Sequence, residues 1–425
     1  MTGARYRLLF LCVAPLIKLV MYYRLWRGKE ERGRLSERYG RGYQHPRPTG
    51  KLIWLHAVSV GEAVAARHLC ETLRQHVPDC HFLITTNTVT AAQRVASYPV
   101  SYHAYQPIDH PQWVSRFLEY WRPDAAIMLE SDFWPELISQ TAAKNIPLLF
   151  ASAQLSRQSA QKWLKHPEFA AEIFSTPQMI FCVDSQQKEI FERLTSLAEP
   201  AAKPQIITSG SLKLAPQHLE AEPAFTAQIR QAAGTKMIIA ACSTHNTEEA
   251  LILDACHGLL EQRNVFLLLA PRHPHRADML AQHLSGIARR SISKYPTSED
   301  SIFLCDQMGE MDSLYQAADL LIMGGSFVEV GGHNLIEPAR SLTPILTGPY
   351  DEKNAAEKQA LTSTAIVTSV NDKEALSTAI DQFYRRFEQN KTLLDEDIRA
   401  ATQAYLKTRY AEAEKIAYTI SQTLL

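Results

Sequence analysis

One pattern, used twice, limits how this chain can fold more than anything else in it. Short apolar runs of strand length are each parted from the next by a helical stretch. The first set is KLIWLHAV, HFLITTN, AAIMLES, PLLFASA, MIFCVDS and IITSGSLK. The second is KMIIAACST, NVFLLLAPR, SIFLCDQ, ADLLIMGGS, TPILTGP and TAIVTSV. Runs this apolar are buried on both faces, and strands that alternate with helices build a mostly parallel sheet covered on each side. Two such sets predict an α/β protein of two Rossmann-like domains facing a cleft. Ligands of such sheets bind beyond the carboxyl ends of the strands.

The polar, Pro- and Ala-rich stretches SLAEPAAKPQ and LAPQHLEAEPAF flank the last run of the first set, which puts a boundary near residue 215. The expected parts are an anchor and basic flank over 1–40, a first domain over 41–215, and a second domain with the terminal helices over 216–425. A chain of 425 residues has the length for two cores. A net charge of −1 gives no electrostatic basis for binding nucleic acid. The seven cysteines are scattered without a CxxC, so they read as buried thiols of a reduced compartment. Asp395 and Asp397 have the spacing of a metal-binding pair, but no strand precedes them and they read as a solvated helix face. Neither a metal nor a cofactor is expected.

The N-terminus is apolar and aromatic from Tyr6 to Trp26, interrupted by Arg7 and Lys18. Its uncharged core, Leu8 to Ile17, is too short alone to cross a bilayer. With Lys18 snorkelling the stretch is long enough to span, or it lies in the interface with Tyr22, Tyr23 and Trp26 at headgroup depth. No small-residue cleavage site follows. Arg24 to Arg41 holds seven basic and three acidic residues, an excess that keeps the following chain cytoplasmic and attracts anionic lipid.

Polar clusters sit directly after apolar runs, where a site belongs. HAVSVGE contains His56, Ser59, Gly61 and Glu62; LESDFWP contains Glu130 and Asp132; GSLK ends on Lys213. In the second half STHNTEE holds Ser243, Thr244 and His245, and PRHPHR holds Arg272 and His273. The sixth cluster is MGGSFVEVGGHNLIEPAR, with Gly324, Gly325, Gly331, Gly332, His333, Asn334 and Glu337. Four of the chain's 17 glycines fall within those nine positions, 324–332. Glycine lets backbone N–H groups approach an anion closely. A helix starting near His333 or Asn334 would aim its positive end at that anion, with Glu337 one turn in on the face of Asn334. Phosphate at the glycines and ribose on Glu337 is the resulting reading. Neither a Walker A pattern nor GxGxxG occurs.

In order and spacing, HAVSVGE, LESDFWP, GSLK, STHNTEE, PRHP and GGSFVEVGGHNLIEPA resemble the 3-deoxy-D-manno-octulosonic acid (Kdo) transferases. The resemblance covers essentially the whole chain, including the anchor and SERYG. It implies a glycosyltransferase-B fold and an inverting transfer of Kdo from CMP-Kdo to a phosphorylated lipid A precursor, on the cytoplasmic face of a bacterial inner membrane. By the same resemblance Glu62 is the general base on the acceptor hydroxyl. Glu130 positions the acceptor or sets the electrostatics of the site. Lys213 and Arg272 stabilise the CMP leaving group, with Ser243, His245 and His273 nearby. Asn334 and Glu337 bind the donor. Three departures stand out: the family's N-A-R-L-S reads SAQLS, with Ser152 and Gln154; Asp132 stands where Glu is usual; and Leu214 and Ala215 follow the lysine. The other readings are a UDP-sugar transferase or epimerase of the same fold, and a non-catalytic nucleotide-binding membrane adaptor.

Overall fold

The computed structural model describes residues 2–96, 98, 101–212, 221–284, 287–351, 355–390 and 393–424. It contains two compact units, Met1–Ala215 with Arg409–Leu425, and Pro216–Thr408. The first is built on β1 (Lys51–His56), β2 (Cys80–Thr86), β3 (Ser101–Tyr105), β4 (Ala125–Leu129), β5 (Leu148–Ala153), β6 (Met179–Cys182) and β7 (Gln205–Thr208). Their order is β3-β2-β1-β4-β5-β6-β7, with every pairing parallel. The second is built on β8 (Met237–Thr244), β9 (Val265–Pro271), β10 (Ala288–Arg289), β11 (Ile302–Leu304), β12 (Leu320–Met323), β13 (Ile345–Thr347) and β14 (Val367–Ser369). Their order is β10-β11-β9-β8-β12-β13-β14, again all parallel.

Each sheet has one strand more than the apolar runs predict, and both additions, β3 and β10, are edge strands. An edge strand is paired on one side only and need not be a continuous apolar run, so SYHAY and the two-residue AR escape a hydrophobicity reading. The central strands behave as expected: β4, β6, β9 and β12 are buried at every residue. Helices cover both faces of the first sheet. One face packs Trp54, Phe117, Trp121 and Phe150, the other Ile53, Leu55, Phe82 and Ile84.

The chain's end departs from the expected partition. The last helix, Glu396–Leu424, carries Ala413, Ile416, Ala417 and Ile420 into the core of the first unit. The second unit therefore stops at Thr408 instead of residue 425.

Among the described residues, one helix is long and apolar enough to cross a membrane: α1, Gly3–Trp26. It is docked on the first unit along one line. Tyr6 is buried and donates to Asp109 Oδ2 at 2.7 Å, and Arg7 Nε donates to Glu136 Oε2 at 2.7 Å. The other side exposes Leu8, Leu16, Leu19, Tyr22, Tyr23 and Trp26. The basic flank is less available than its composition suggests. Arg24 and Arg38 both bind buried Glu30, and Arg34 binds buried Glu37. Arg27, Lys29, Arg32 and Arg41 remain exposed.

Candidate functional site

The strand order reverses between β1 and β4 in the first sheet and between β8 and β12 in the second. Ligand sites of open parallel sheets form at such reversals, beyond the carboxyl ends of the strands. Glu62 and Glu130 follow β1 and β4; Ser243, His245, Gly324 and Gly325 end or follow β8 and β12. The topology thus brings the candidates together within each unit.

Glu62 lies in the first turn of α2 (Val60–His76) and is 7% exposed. Ser59 caps that helix: its Oγ accepts the Glu62 N–H at 3.3 Å and donates back to Glu62 Oε1 at 3.0 Å. The other carboxylate oxygen accepts the Val58 N–H at 2.6 Å. This is a reciprocal cap, and it fixes the carboxylate at the positive end of a seventeen-residue helix.

Glu130 is buried and held at φ 60°. That conformation costs a non-glycine residue about 1–3 kcal/mol and persists only where surrounding structure enforces it. Gln154, in the place of the expected arginine, donates through Nε2 to Glu130 Oε2 at 3.3 Å. Asp132 is a hub. Its Oδ2 lies 2.9 Å from His56 Nε2, 3.0 Å from Asn87 Nδ2 and 2.7 Å from Trp134 Nε1. Burial alone would raise its pKa, but these partners outweigh burial and hold it below the usual carboxylate value. The same chain of contacts continues through Asn87 to Arg38 and Glu30. Ser152, the other departure, is also strained, at φ 53°, where the pairing of β5 with β6 is irregular. Its Oγ accepts the Leu212 N–H at 2.7 Å and so anchors the backbone that runs into Lys213. Lys213, Leu214 and Ala215 lie outside the described residues.

The second unit repeats one of these features. Ser243 sits at φ 57°, where the pairing of β8 with β9 is irregular. Beyond it, Glu248 opens the helix Glu248–Glu261 and is 1% exposed. Its carboxylate accepts three backbone N–H groups: His245 and Gly325, both at 2.7 Å, and Phe327 at 2.9 Å. Arg272 and His273 follow β9 and are exposed. Burial together with Arg272 lowers the pKa of His273.

Glu248 changes the reading of the glycines. The Gly324 N–H donates to Cys242 O, the Gly325 N–H to Glu248, and the Gly332 N–H to Gly325 O at 2.8 Å. These three amides serve the protein instead of an incoming anion. Close packing explains the residue type. A Cβ on Gly324 would stand 2.6 Å from Thr244 Cα, and Gly325, at φ 69°, has His333 Nε2 2.8 Å from where its Cβ would be. The helix after the run starts at Ile336, not near His333 or Asn334 as expected, and spans only Ile336–Ala339. Asn334 Oδ1 accepts the Ile336 N–H at 2.9 Å and its Nδ2 donates to Glu337 Oε1 at 3.4 Å. Glu337 is exposed beside it. Arg272, His273 and Glu337 are exposed and Asn334 is partly so, while the glycines shape the turn.

Asn87 and Glu248 have no prominence in the sequence, and Gln154 stands out there only as a departure from the family's pattern. Glu248 was legible only as half of an acidic pair at a helix start, and its three amide partners come from loops 77 to 79 residues away or on the preceding turn.

A family model described as "3-Deoxy-D-manno-octulosonic-acid transferase (kdotransferase)" matches residues 33–215. A 3-deoxy-D-manno-octulosonic acid transferase of Haemophilus influenzae is 32% identical over 400 residues, covering 91% of this chain and 92% of its own. One from Rickettsia bellii is 30% identical, covering 88% of each. Among solved structures, a glycosyltransferase from Rickettsia africae aligns with TM-score 0.59 at 11% identity, covering 89% of this chain and 99% of its own. A UDP-GlcNAc 2-epimerase from Neisseria meningitidis, bound to UDP-GlcNAc, aligns with TM-score 0.55 at 14% identity, covering 84% and 99%. At those identities the structural likeness speaks for the fold alone.

Proposed function

We propose a reaction for this chain from one premise: it belongs to the 3-deoxy-D-manno-octulosonic acid transferase family, and is a glycosyltransferase that transfers Kdo. The donor is CMP-Kdo and the acceptor is a phosphorylated lipid A precursor. The acceptor hydroxyl attacks C2 of Kdo, Glu62 takes its proton, and the C2–O bond to the phosphate breaks, releasing CMP with inversion. Glu130 orients the acceptor. Arg272 and Lys213 meet the phosphate as charge develops on it, and Asn334 with Glu337 takes the ribose hydroxyls. The apolar side of α1 lies against the cytoplasmic face of the inner membrane, where such an acceptor resides.

The observation that carries this reading is the placing of Glu62. It is a buried carboxylate immediately beyond a strand at the sheet's reversal, fixed at a helix start by the Val58 amide and the Ser59 hydroxyl. Its capping role and its role as base are separable, because Ser59 carries only the first.

The test is to incubate the full chain with CMP-Kdo and a tetra-acylated lipid A precursor and weigh the product. Addition of whole Kdo residues is expected, and their number is read from the mass. An unchanged acceptor, with heat protection by UDP but not by CMP, would overturn the reading in favour of a UDP-sugar enzyme.

A further inference from the structure

The second unit contains a pair of imidazoles that no part of the reaction above uses. His245, after β8, and His333, after the glycines, approach Nε2 to Nε2 at 3.1 Å. Their planes differ by 15° and their ring centroids are 5.3 Å apart. The centroids are separated by more than the nitrogens by about two ring radii. The rings therefore meet edge to edge in nearly one plane, each Nε2 pointing at the other, and do not lie face to face.

That arrangement fixes the protonation of the pair. Two Nε2 atoms this close can share one hydrogen between them, as N–H···N, and cannot each carry one. The neutral pair therefore holds one proton in the bridge, and a further proton gives a cation spread over both rings. Uptake stops there, since a second extra proton would set two N–H groups against each other. The packing maintains this geometry. The His245 backbone is pinned by Glu248, and His333 Nε2 sits where any side chain at Gly325 would have to be.

The surroundings favour release of the extra proton. Burial lowers the pKa of His245; Glu248 opposes that, Arg272 and Arg276 add to it, and Glu249 opposes it. His273 stands edge-on to His245, with ring centroids 5.7 Å apart, and stacks on His275. On the side of the glycine run, Asp351 packs against Gly332.

We infer that the His245–His333 pair is the general acid of the donor side, passing its extra proton to a phosphate oxygen of the departing nucleoside monophosphate. This rests on the donor reading given above. As the C2–O bond breaks, its electron pair goes to the phosphate, whose monoester takes up a proton near pH 6. The pair supplies that proton and becomes neutral, while the base on the acceptor side gains the hydroxyl proton. Afterwards the base loses a proton to water and the pair regains one, so the cycle closes.

The test uses the full chain and three variants, His245→Gln, His333→Gln and the double variant, in single-turnover transfer across a range of pH. Heat protection by CMP serves as the check on folding and binding. Each single variant is expected to keep CMP protection and lose on the order of 10²-fold in rate, within the span of a general acid. The double variant should be no slower than the slower single, because the two rings act as one group. The fall in the wild-type rate at alkaline pH should vanish in all three. Losses that multiply in the double variant, or variants that keep the alkaline fall, would overturn the dyad alone. A wild-type protein that CMP does not protect and that makes no product would instead sink the donor reading beneath it.

Discussion

The two units share a parallel seven-stranded sheet and a reversal of strand order, yet they treat their candidate residues differently. In the first, Glu62 and Glu130 are buried, Asp132 is partly buried, and all three are held by named donors: Ser59 and Val58, Gln154, and the trio of His56, Asn87 and Trp134. In the second, Arg272, His273 and Glu337 are exposed, and the buried carboxylate, Glu248, braces loops. Groups that must act at one atom gain from enclosure and fixed geometry, whereas groups that must meet a charged nucleotide gain from being reachable. The contrast assigns the acceptor-side chemistry to the first unit, and donor binding with its general acid to the second.

The sharpest break in that contrast is Glu62→Gln. Glutamine keeps the size and one acceptor for the helix cap but cannot take a proton at neutral pH. Transfer should fall by at least 10²-fold while CMP protection against heat is unchanged. Ser59→Ala is its counterpart: it removes the cap, costing about 1 kcal/mol of stability by denaturant titration, and leaves most of the transfer rate. A Ser59 variant as inactive as the Glu62 variant would mean that Glu62 matters only as a cap. Next comes Gly324→Ala. Its Cβ would press on the backbone of Thr244, which cannot swing away. A loss of about 1–3 kcal/mol is expected, together with weaker CMP protection, because the run that leads to Asn334 and Glu337 is displaced.

How far the sequence shows this division depends on the kind of interaction. The central strands, the boundary region and the clusters after the strands are local patterns, and they stand in the sequence as runs and neighbours. The edge strands β3 and β10 are not, since half of their stabilising pairing is missing and their residues are mixed. Asn87 with Asp132, and Glu248 with Gly325 and Phe327, are contacts across 45 to 79 residues, and no spacing reports them. The glycine run was legible as a demand for bare backbone. Whether that backbone faces an anion or a neighbouring strand depends on what packs against it, and that is tertiary information.

A smaller effect should follow at the Asp132 hub. Asp132→Asn keeps the shape but replaces a charged acceptor of three donors with a neutral one that can accept from only part of the set. The expected result is about a tenfold lower turnover with little change in the apparent affinity for CMP-Kdo, since the hub belongs to the acceptor half. An equal effect on both would blur the division.

The smallest effect concerns the seat of α1. Asp109 is pushed up to about 6 by burial, against the opposing amides of Glu136 and Leu137 and the Tyr6 hydroxyl. Its folded pKa lies above its ordinary value of 3.8, so the folded state holds that proton more tightly. The associated stability is fully present below about pH 4 and is lost as pH rises through about 6. His103, held neutral and down at about 3, works in the opposite direction over that range, losing its contribution as pH falls. Comparing wild type with Asp109→Asn removes the His103 term. The variant should be less stable overall and should lack the decline between pH 4 and 6. A decline that survives in the variant would place the titrating group elsewhere.

The division of labour is tested most directly by hydrogen exchange of the full chain with and without CMP. Slowed exchange is expected in the segments around residues 243–248, 272–276 and 324–337, with 56–62 and 130–134 unchanged. Protection centred on the segments that hold Glu62 and Glu130, with the second unit unaffected, would contradict it.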